Sequence, residues 1–356
     1  MTTNLNGRRW PPVFFLAAFL FHSAPGSAEE HFFTRLDSFS WSEPVTIDAA
    51  INDWQGAFFN GQRQFSHTRF DFGLRFQNWE ISAQYRRDIS LRFTRDTAEY
   101  YYLSRNHIAV DPERRFSIDL RARQAETLGI RLGSIGHRWH RIELSSGISL
   151  FRAKQLIDGY IQGTERNVDV DYLYSKDVLF ERDVPPPDGY GVSLDLSLNW
   201  SNSHGTTINI AAVDLPGFIN WQHAPFTRAT ANIDQSHIDE QGYLTVEPLV
   251  SGIEGSRSNY WQHLHPQLHL AVTHRLSHSI NALFDYRYLD QNHFTAAGVE
   301  ATARGNTFGI RYRAATGTID ICFGRAGMRL SIGADSIPLK DSRSLWLRFE
   351  IGGTSG

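Results

Sequence analysis

Alternation of apolar and polar residues over long runs is the feature that most constrains how this chain folds. Between Trp79 and Phe93 the apolar residues occupy odd positions and the polar residues even positions, with Arg87 as the exception. Similar runs occupy 116–121, 192–200, 308–314 and 345–351. A period of two places alternate side chains on opposite faces of a strand, so each run predicts a strand with one apolar and one polar face. The pattern therefore predicts an all-β protein.

Two kinds of protein would produce this pattern: a soluble β-sandwich with one solvent-exposed face, and a transmembrane β-barrel. The longer runs reach the ~9–11 residues that cross a bilayer when tilted, whereas sandwich strands usually have ~5–6. Tyrosine and tryptophan stand at run ends, as in the interfacial girdles of barrels. These aromatic residues are Trp79, Trp200, Trp221, Tyr286 and Tyr288. We therefore predict a transmembrane antiparallel β-barrel of about 16 strands, within a range of about 14–18.

The first 28 residues have the order of an export signal. Arg8 and Arg9 precede the apolar run Val13–Phe21, which is too short to cross a bilayer as a helix, and Gly26 and Ala28 suit a cleavage site. We predict a signal peptide at 1–28, an N-terminal segment at 29–60 that is periplasmic, a plug or the first strand, and a barrel at 61–356. The predicted location is the outer membrane, with the protein integral there after cleavage near Ala28.

Charge and cysteine content exclude several partner classes. The chain has 35 basic and 38 acidic residues, a formal charge of −3 that argues against a nucleic-acid partner. A single cysteine, Cys322, forms no internal disulfide and builds no thiolate metal site. The expected partners are outer-membrane lipid and the barrel-assembly machinery, together with a small solute or an envelope protein. We predict no cofactor.

Turn signals give a topology in which short periplasmic turns alternate with longer external loops. The C-terminus then lies at the periplasmic end. A count of sixteen strands requires a first strand near 44–59. The count is fourteen if that segment lies outside the wall and one other run is misread. It is eighteen if 222–263 contains another strand pair. The predicted short connections are 77–78, 124–126, 201–205, 277–279, 304–306 and 325–327, and the longer ones are 94–114, 165–188, 222–263 and 335–342.

The chain after the signal resembles Gram-negative outer-membrane β-barrels. The hairpin from Gly191 to Trp221 also resembles a strand pair of barrels related to long-chain fatty-acid transporters, in which a strand ends in an Asp-Leu-Gly-x-Ile-x-Trp-like sequence. Here that stretch is Asp214-Leu215-Pro216-Gly217-Phe218-Ile219-Asn220-Trp221, with Pro216 inserted. The last strand resembles the assembly signal of such barrels, with Phe349 as its aromatic residue, although seven residues follow it. The resemblance implies a β-barrel fold and an outer-membrane location, and it does not identify a substrate.

Charged residues on the polar face are the main candidates for function. Inside a barrel they would line the lumen, where they form an ion-pair lattice that stiffens the wall, a field that selects solutes, or both. Arginine suits either role because its fork binds carboxylates bidentately and stays protonated. The lumen-lining candidates are Arg86, Asp88, Arg92, Asp119, Arg121, Asp195, Asp285, Arg287, Arg311, Arg313, Arg348 and Glu350.

Two further sets of residues suggest chemistry less directly. His263, His265 and His269 share one parity and would point into the lumen as candidate metal ligands, but Pro266 interrupts the strand, and polar lumen histidines are the simpler interpretation. Ser203 and His204 are adjacent, so in an extended chain they point to opposite faces and make no hydrolase pair.

We predict a non-enzymatic barrel with no catalytic residues, acting as a pore or transporter for a small solute. A barrel that serves as an assembly or anchoring component is the alternative. A lipid- or glycan-modifying enzyme comes third.

Overall fold

Antiparallel strands make up most of the described chain. The computed structural model describes residues 31–111, 113–177, 183–232, 236–238, 244–246 and 249–352, so the predicted export signal lies outside the described residues. The first ten strands are β1 (His31–Ser42), β2 (Arg63–Phe76), β3 (Trp79–Phe93), β4 (Ser117–Trp139), β5 (Ile142–Thr164), β6 (Asn167–Tyr174), β7 (Asp188–Ser201), β8 (Thr206–Val213), β9 (Gly217–Gln222) and β10 (Ala224–Asn232). The remaining strands are β11 (Ser236–Ile238), β12 (Leu244–Val246), β13 (Leu249–Arg257), β14 (Tyr260–His263), β15 (Gln267–Arg275), β16 (Ile280–Leu289), β17 (Asn292–Ala303), β18 (Asn306–Arg313), β19 (Thr318–Arg325), β20 (Met328–Ala334) and β21 (Ser344–Ile351).

Two α-helices lie in connections between strands. Helix α1 (Ile47–Ile51) follows β1, and helix α2 (Arg95–Arg105) follows β3. A threonine begins each helix: the hydroxyls of Thr46 and Thr94 accept hydrogen bonds from the backbone amides of Ala49 and Thr97. None of the helices in the described residues is long and apolar enough to span a membrane.

The main sheet closes on itself because the first strand pairs with the last. In β1, Phe39 lies opposite His67 of β2 on one side and Trp346 of β21 on the other. Around the ring, the wall consists of β1 to β5, then β6 with β7, β8 with β9, β14 with β15, and β16 to β21. The described chain therefore forms a closed antiparallel barrel with 14 wall positions, which confirms the predicted fold class at the lower end of its range.

Three wall positions are built from more than one strand segment. Strands β6 and β7 both run antiparallel to β5, where Ile157 lies opposite Tyr174 and Ala153 opposite Gly189. The next two wall positions are each interrupted near a proline: Pro216 lies between β8 and β9, and Pro266 lies between β14 and β15. Beyond the wall, β10 pairs with β13 and with β6. The long connection 222–263 thus contains extra strands, but they extend existing wall positions instead of adding new ones.

Connections at one end of the barrel are short, which confirms most of the predicted turns. Both ends of the described sheet lie here too, because His31 is opposite Arg75 and Ile351 is opposite Met328. We call this the short-turn end and the opposite one the long-loop end, where 43–62, 94–116 and 335–343 lie. The connections at the short-turn end are 77–78, 140–141, 202–205, 276–279, 304–305 and 326–327.

One predicted turn and the predicted first strand were wrong. The predicted turn at 124–126 lies within β4, which has 23 residues and is longer than a bilayer requires. The polar residues at 124–126 therefore belong to a part of the strand that extends beyond the bilayer. The first strand is His31–Ser42 and not 44–59, where α1 lies instead. Its period of two is hard to detect because its interior face carries Phe33 and Phe39 beside charged residues.

The outer face of the wall is a continuous band of exposed apolar side chains. Soluble proteins rarely expose contiguous apolar patches of this extent, so this band is the surface that contacts membrane. The indole of Trp79 is exposed next to a short turn, as a girdle residue would be, whereas Trp221 is buried in the interior. Members of the exposed band include Ile81, Leu128, Ile130, Leu132, Leu150, Leu196, Ile210, Phe308, Ile310, Ile321 and Ile332.

Adjacent substitutions in β7 test this assignment of faces. Leu196 is 48% exposed on the outer face, whereas its neighbour Ser197 lines the interior. We expect Leu196→Arg to cost ~2–4 kcal/mol because it places a charge in the lipid-facing band, and Ser197→Arg to cost much less. Heat-modifiable migration of the membrane fraction on gels reports assembly of each variant. Equal damage from both would mean that β7 has no lipid face.

Candidate functional site

Ion pairs cross the interior between wall strands that are not neighbours. Arg287 of β16 donates through Nη1 to Asp37 Oδ2 of β1 at 2.9 Å. Arg69 of β2 donates to Asp195 of β7 at 3.0 Å. Because these residues are largely shielded from bulk water, opposite charges from distant strands compensate each other. The interior is therefore a connected lattice of arginines and carboxylates.

The most deeply buried part of this lattice surrounds Arg313. Its side chain is 1% exposed and donates to Asp320 Oδ2 at 2.8 Å, with Asp285 Oδ1 3.4 Å away. The guanidinium carbons of Arg287 and Arg313 lie 4.2 and 4.0 Å from the ring centre of Trp346. Both cations therefore gain cation–π contact in addition to their carboxylate partners.

Arg311 differs from Arg313, although the two share one strand face. Its nearest carboxylate contact is the 3.7 Å separation between its Nε and Asp320 Oδ2, which is too long for a hydrogen bond. Arg348 has a similarly long contact, 3.9 Å from its Nε to Asp37 Oδ2. Replacing both Arg311 and Arg313 with acidic residues would therefore combine two different effects, because only Arg313 is hydrogen-bonded within the buried lattice.

A cavity of 550 Å³ lies in the half of the barrel nearer the short-turn end; we call it the vestibule. The residues that line it come from β1, β2, β4, β5, β7, β8, β15, β16, β18, β20 and β21. Its carboxylates are Asp37, Asp71, Asp195, Asp285 and Glu350. Its arginines are Arg35, Arg69, Arg131, Arg311, Arg329 and Arg348.

A smaller cavity of 60 Å³ lies nearer the long-loop end; we call it the upper pocket. Its boundary contains apolar side chains together with the polar residues His67, Arg86 and Asp290. Asp290, between β16 and β17, accepts from Ser90 Oγ at 2.6 Å, and its main-chain oxygen accepts from Arg92 Nη2 at 2.6 Å. Because β3 lies almost opposite β16 in the ring, these bonds span the lumen above the vestibule.

Aromatic side chains fill part of the lumen, and sequence reasoning missed them. Phe39 packs against Trp346 and Phe294 with ring centres 4.3 and 5.0 Å apart, although β1 and β17 are not neighbours. Trp346 falls on the polar parity of its strand, beside Arg348 and Glu350. An aromatic residue on the predicted lumen face was the signal that the interior is partly apolar. The cluster contains Phe39, Phe65, Leu289, Phe294 and Trp346.

The twelve predicted lumen candidates fall into three groups. Arg86, Asp195, Asp285, Arg287 and Arg313 are buried in the lattice. Arg311, Arg348 and Glu350 line the vestibule. Asp88, Arg92, Asp119 and Arg121 lie toward the long-loop end, where Asp88 pairs with Arg86 and Arg92 reaches Asp290, while Asp119 contributes its main-chain oxygen to the hydroxyl of Thr97.

The three candidate histidines have three different partners. The main-chain oxygen of His263 accepts from Arg123, His265 Nδ1 lies 2.9 Å from Asp290 Oδ1, and His269 Nε2 lies 2.6 Å from Asp285 Oδ2. They do not converge on one point. Among the residues the structure describes, no group of three or more histidine, cysteine, aspartate or glutamate side chains is placed to hold a metal ion.

The Ser203–His204 pair lies in the turn between β7 and β8. There the main-chain amide of His204 donates to Asn202 Oδ1 at 3.0 Å. This contact belongs to the geometry of the turn.

Comparison with protein-family models gives no match, and comparison with curated proteins gives none either. Similar solved structures include the TodX deltaS2S3 mutant monoaromatic hydrocarbon channel, with a TM-score of 0.45, 10% identity and coverage of 91% of this chain and 89% of that chain. The toluene transporter TodX of Pseudomonas putida has a TM-score of 0.43, 10% identity and coverage of 92% and 88%. The copper transporter OprC has a TM-score of 0.24, 8% identity and coverage of 87% and 59%.

Three features identify the architecture: the closed wall, the apolar band on its outer face and the charged residues on its inner face. The fold is that of an outer-membrane β-barrel. Such a wall satisfies every backbone donor and acceptor without water, which only a closed sheet or a helix achieves in lipid.

Removing one partner of a buried pair tests the stabilising role of the lattice. Asp320→Asn leaves the buried Arg313 without its 2.8 Å carboxylate, and we expect a loss of ~3–5 kcal/mol in the free energy of unfolding. Asp188→Asn is the matched control, because Asp188 and its partner Arg152 are both largely exposed and the loss of a surface ion pair changes stability little. Urea unfolding of both variants in lipid vesicles measures the difference. Similar midpoints would show that the buried pair contributes no more than a surface pair.

Proposed function

We propose that the protein is a porin-like outer-membrane channel or transporter that carries a small polar solute through its charged interior. The observation that supports this most directly is the vestibule, whose 550 Å³ falls within the ~300–1,000 Å³ typical of small-molecule sites. Its arginines and carboxylates present charges to a solute at close range, where the low dielectric of the wall strengthens their field.

Side-chain bridges separate the vestibule from the long-loop end, and we infer that they act as a gate. The contacts that Arg92 makes to Asp290, and Arg63 to Asn292, join opposite sides of the ring. Hydrogen bonds between side chains exchange rapidly compared with the backbone pairing of the wall. Solute entry then requires these bridges to open while the barrel itself stays intact.

A non-transporting barrel that anchors or assembles an envelope machine is the second candidate. The same cross-lumen bridges favour it, because a permanently closed lattice would stiffen the barrel without conducting solute. In this case the surfaces that matter are the extensions of β10 and β13 at the long-loop end, beyond the wall.

Export and insertion complete the proposed function. Residues 1–28 would direct the chain across the inner membrane and be removed near Ala28, and the barrel-assembly machinery would insert the remainder. The order of charge, apolar run and small residues supports this step.

Conductance across planar bilayers distinguishes the two candidates. We expect a small single-channel conductance for the natural protein and a larger one for the double variant Arg63→Ala with Arg92→Ala, because two cross-lumen bridges are lost. Arg95→Ala is the control, since Arg95 is exposed at the start of α2 and lies in no bridge. If the natural protein and the double variant both assemble but neither conducts, the anchoring function is favoured and transport is rejected.

A further inference from the structure

The apolar band of the outer face ends at cationic side chains on the side of the long-loop end. On β3 the outward position after Tyr85 is Arg87, which is exposed. Farther along the strand, the outward residue Phe93 is buried with Trp54 and Ala98 in the connections of the long-loop end. The lipid-accessible surface of β3 therefore stops at Arg87, because protein covers the end of the strand beyond it.

A β-bulge in β5 adds a lysine to the outer face near the same level. Glu126 and Thr127 of β4 lie opposite Gln155 and Ala153 of β5, so Lys154 is an extra residue without a counterpart in the ladder. Lys154 is exposed, whereas Ala153 is buried in the interior. The bulge therefore preserves the interior face of β5 and presents one additional cation on the outer face.

Two further cations lie beside this bulge. Lys176 is exposed and follows Ser175, whose amide donates to the main-chain oxygen of Leu156 at 2.9 Å, so the chain after β6 runs close to Lys154. Arg152 is exposed two residues before Lys154 on the same strand. We call these four residues the basic rim: Arg87, Arg152, Lys154 and Lys176.

Carboxylates neutralise the basic rim only in part. Arg152 forms an ion pair with Asp188 of β7, and Glu126 of β4 lies opposite Arg87 in the register. Within the part of the chain that the structure describes, the side chains of the other three rim cations make no hydrogen bond or ion pair. The rim therefore presents an excess of positive charge, with donors that are free to bind an anionic group.

We propose that the basic rim binds the phosphate groups of lipids in the outer leaflet. The rim continues the apolar band, so one lipid can place its acyl chains against Leu128 and Leu150, both exposed, and its headgroup against the cations. Arginine and lysine are the side chains that bind phosphate, and they attract anionic lipids to a membrane protein. This inference is independent of whether the barrel conducts a solute.

Lipid binding to the purified full-length barrel in neutral detergent tests the basic rim. Native mass spectrometry measures the binding of dioctanoyl phosphatidic acid, which carries a phosphate monoester, and of dioctanoyl phosphatidylcholine, whose headgroup has no net charge. We expect phosphatidic acid to bind more tightly. The triple variant Arg87→Gln, Lys154→Gln and Lys176→Gln should weaken its binding by about ten-fold or more, because each cation near a lipid surface contributes about five-fold.

A second triple variant is the matched control. Arg95→Gln, Arg304→Gln and Lys340→Gln together remove the same net charge from exposed positions outside the rim and should leave lipid binding unchanged. Heat-modifiable migration confirms that each variant is folded. Glu126→Gln keeps every rim cation and removes the carboxylate opposite the rim, so it should tighten phosphatidic acid binding by about two- to five-fold. It and the single variant Lys154→Gln decide the question if the rim triple variant does not assemble.

Three results would overturn the proposal. Equal affinity for the two lipids would show that the phosphate monoester is not recognised. Equal weakening by the two triple variants would show that net charge, and not the rim, determines binding. Inorganic phosphate that binds the rim as tightly as phosphatidic acid would assign the rim to a free anion instead of a lipid.

Discussion

Closure of the sheet is the constraint on which the rest of the structure depends. A strand in lipid has no water for its backbone groups, so its edges must be paired, and the register from Thr34 opposite Ile351 to Trp41 opposite Ser344 pairs the last free edge. Once the ring is closed, every second side chain of each pleated strand points into the interior. Charged residues that cannot face lipid are then concentrated in one narrow space, and the lattice of arginines and carboxylates follows from that confinement.

The lattice divides the interior into regions with different properties. Around Arg313 and Trp346 it is nearly dry, and every charge is compensated by a partner or an aromatic ring. In the vestibule it borders an open cavity, where Arg348 and Glu350 are about one-third exposed. One network therefore contains both dry, fully paired charges and charges that border water.

Sequence periodicity predicted the faces of the strands and most of the short turns, because both depend on neighbouring residues. It could not distinguish Arg311 from Arg313, because the two share one parity and both approach Asp320 of the next strand, which only Arg313 binds at hydrogen-bonding distance. It also missed β1, whose lumen face mixes Phe33 and Phe39 with charged residues.

The extension formed by β10 and β13 beyond the wall has an evolutionary consequence. Its strands pair with each other and with β6, so their hydrogen bonds are independent of the pairing between β1 and β21 that closes the ring. Substitutions and insertions in this extension can therefore accumulate without disturbing the interior charges, as surface loops generally tolerate change.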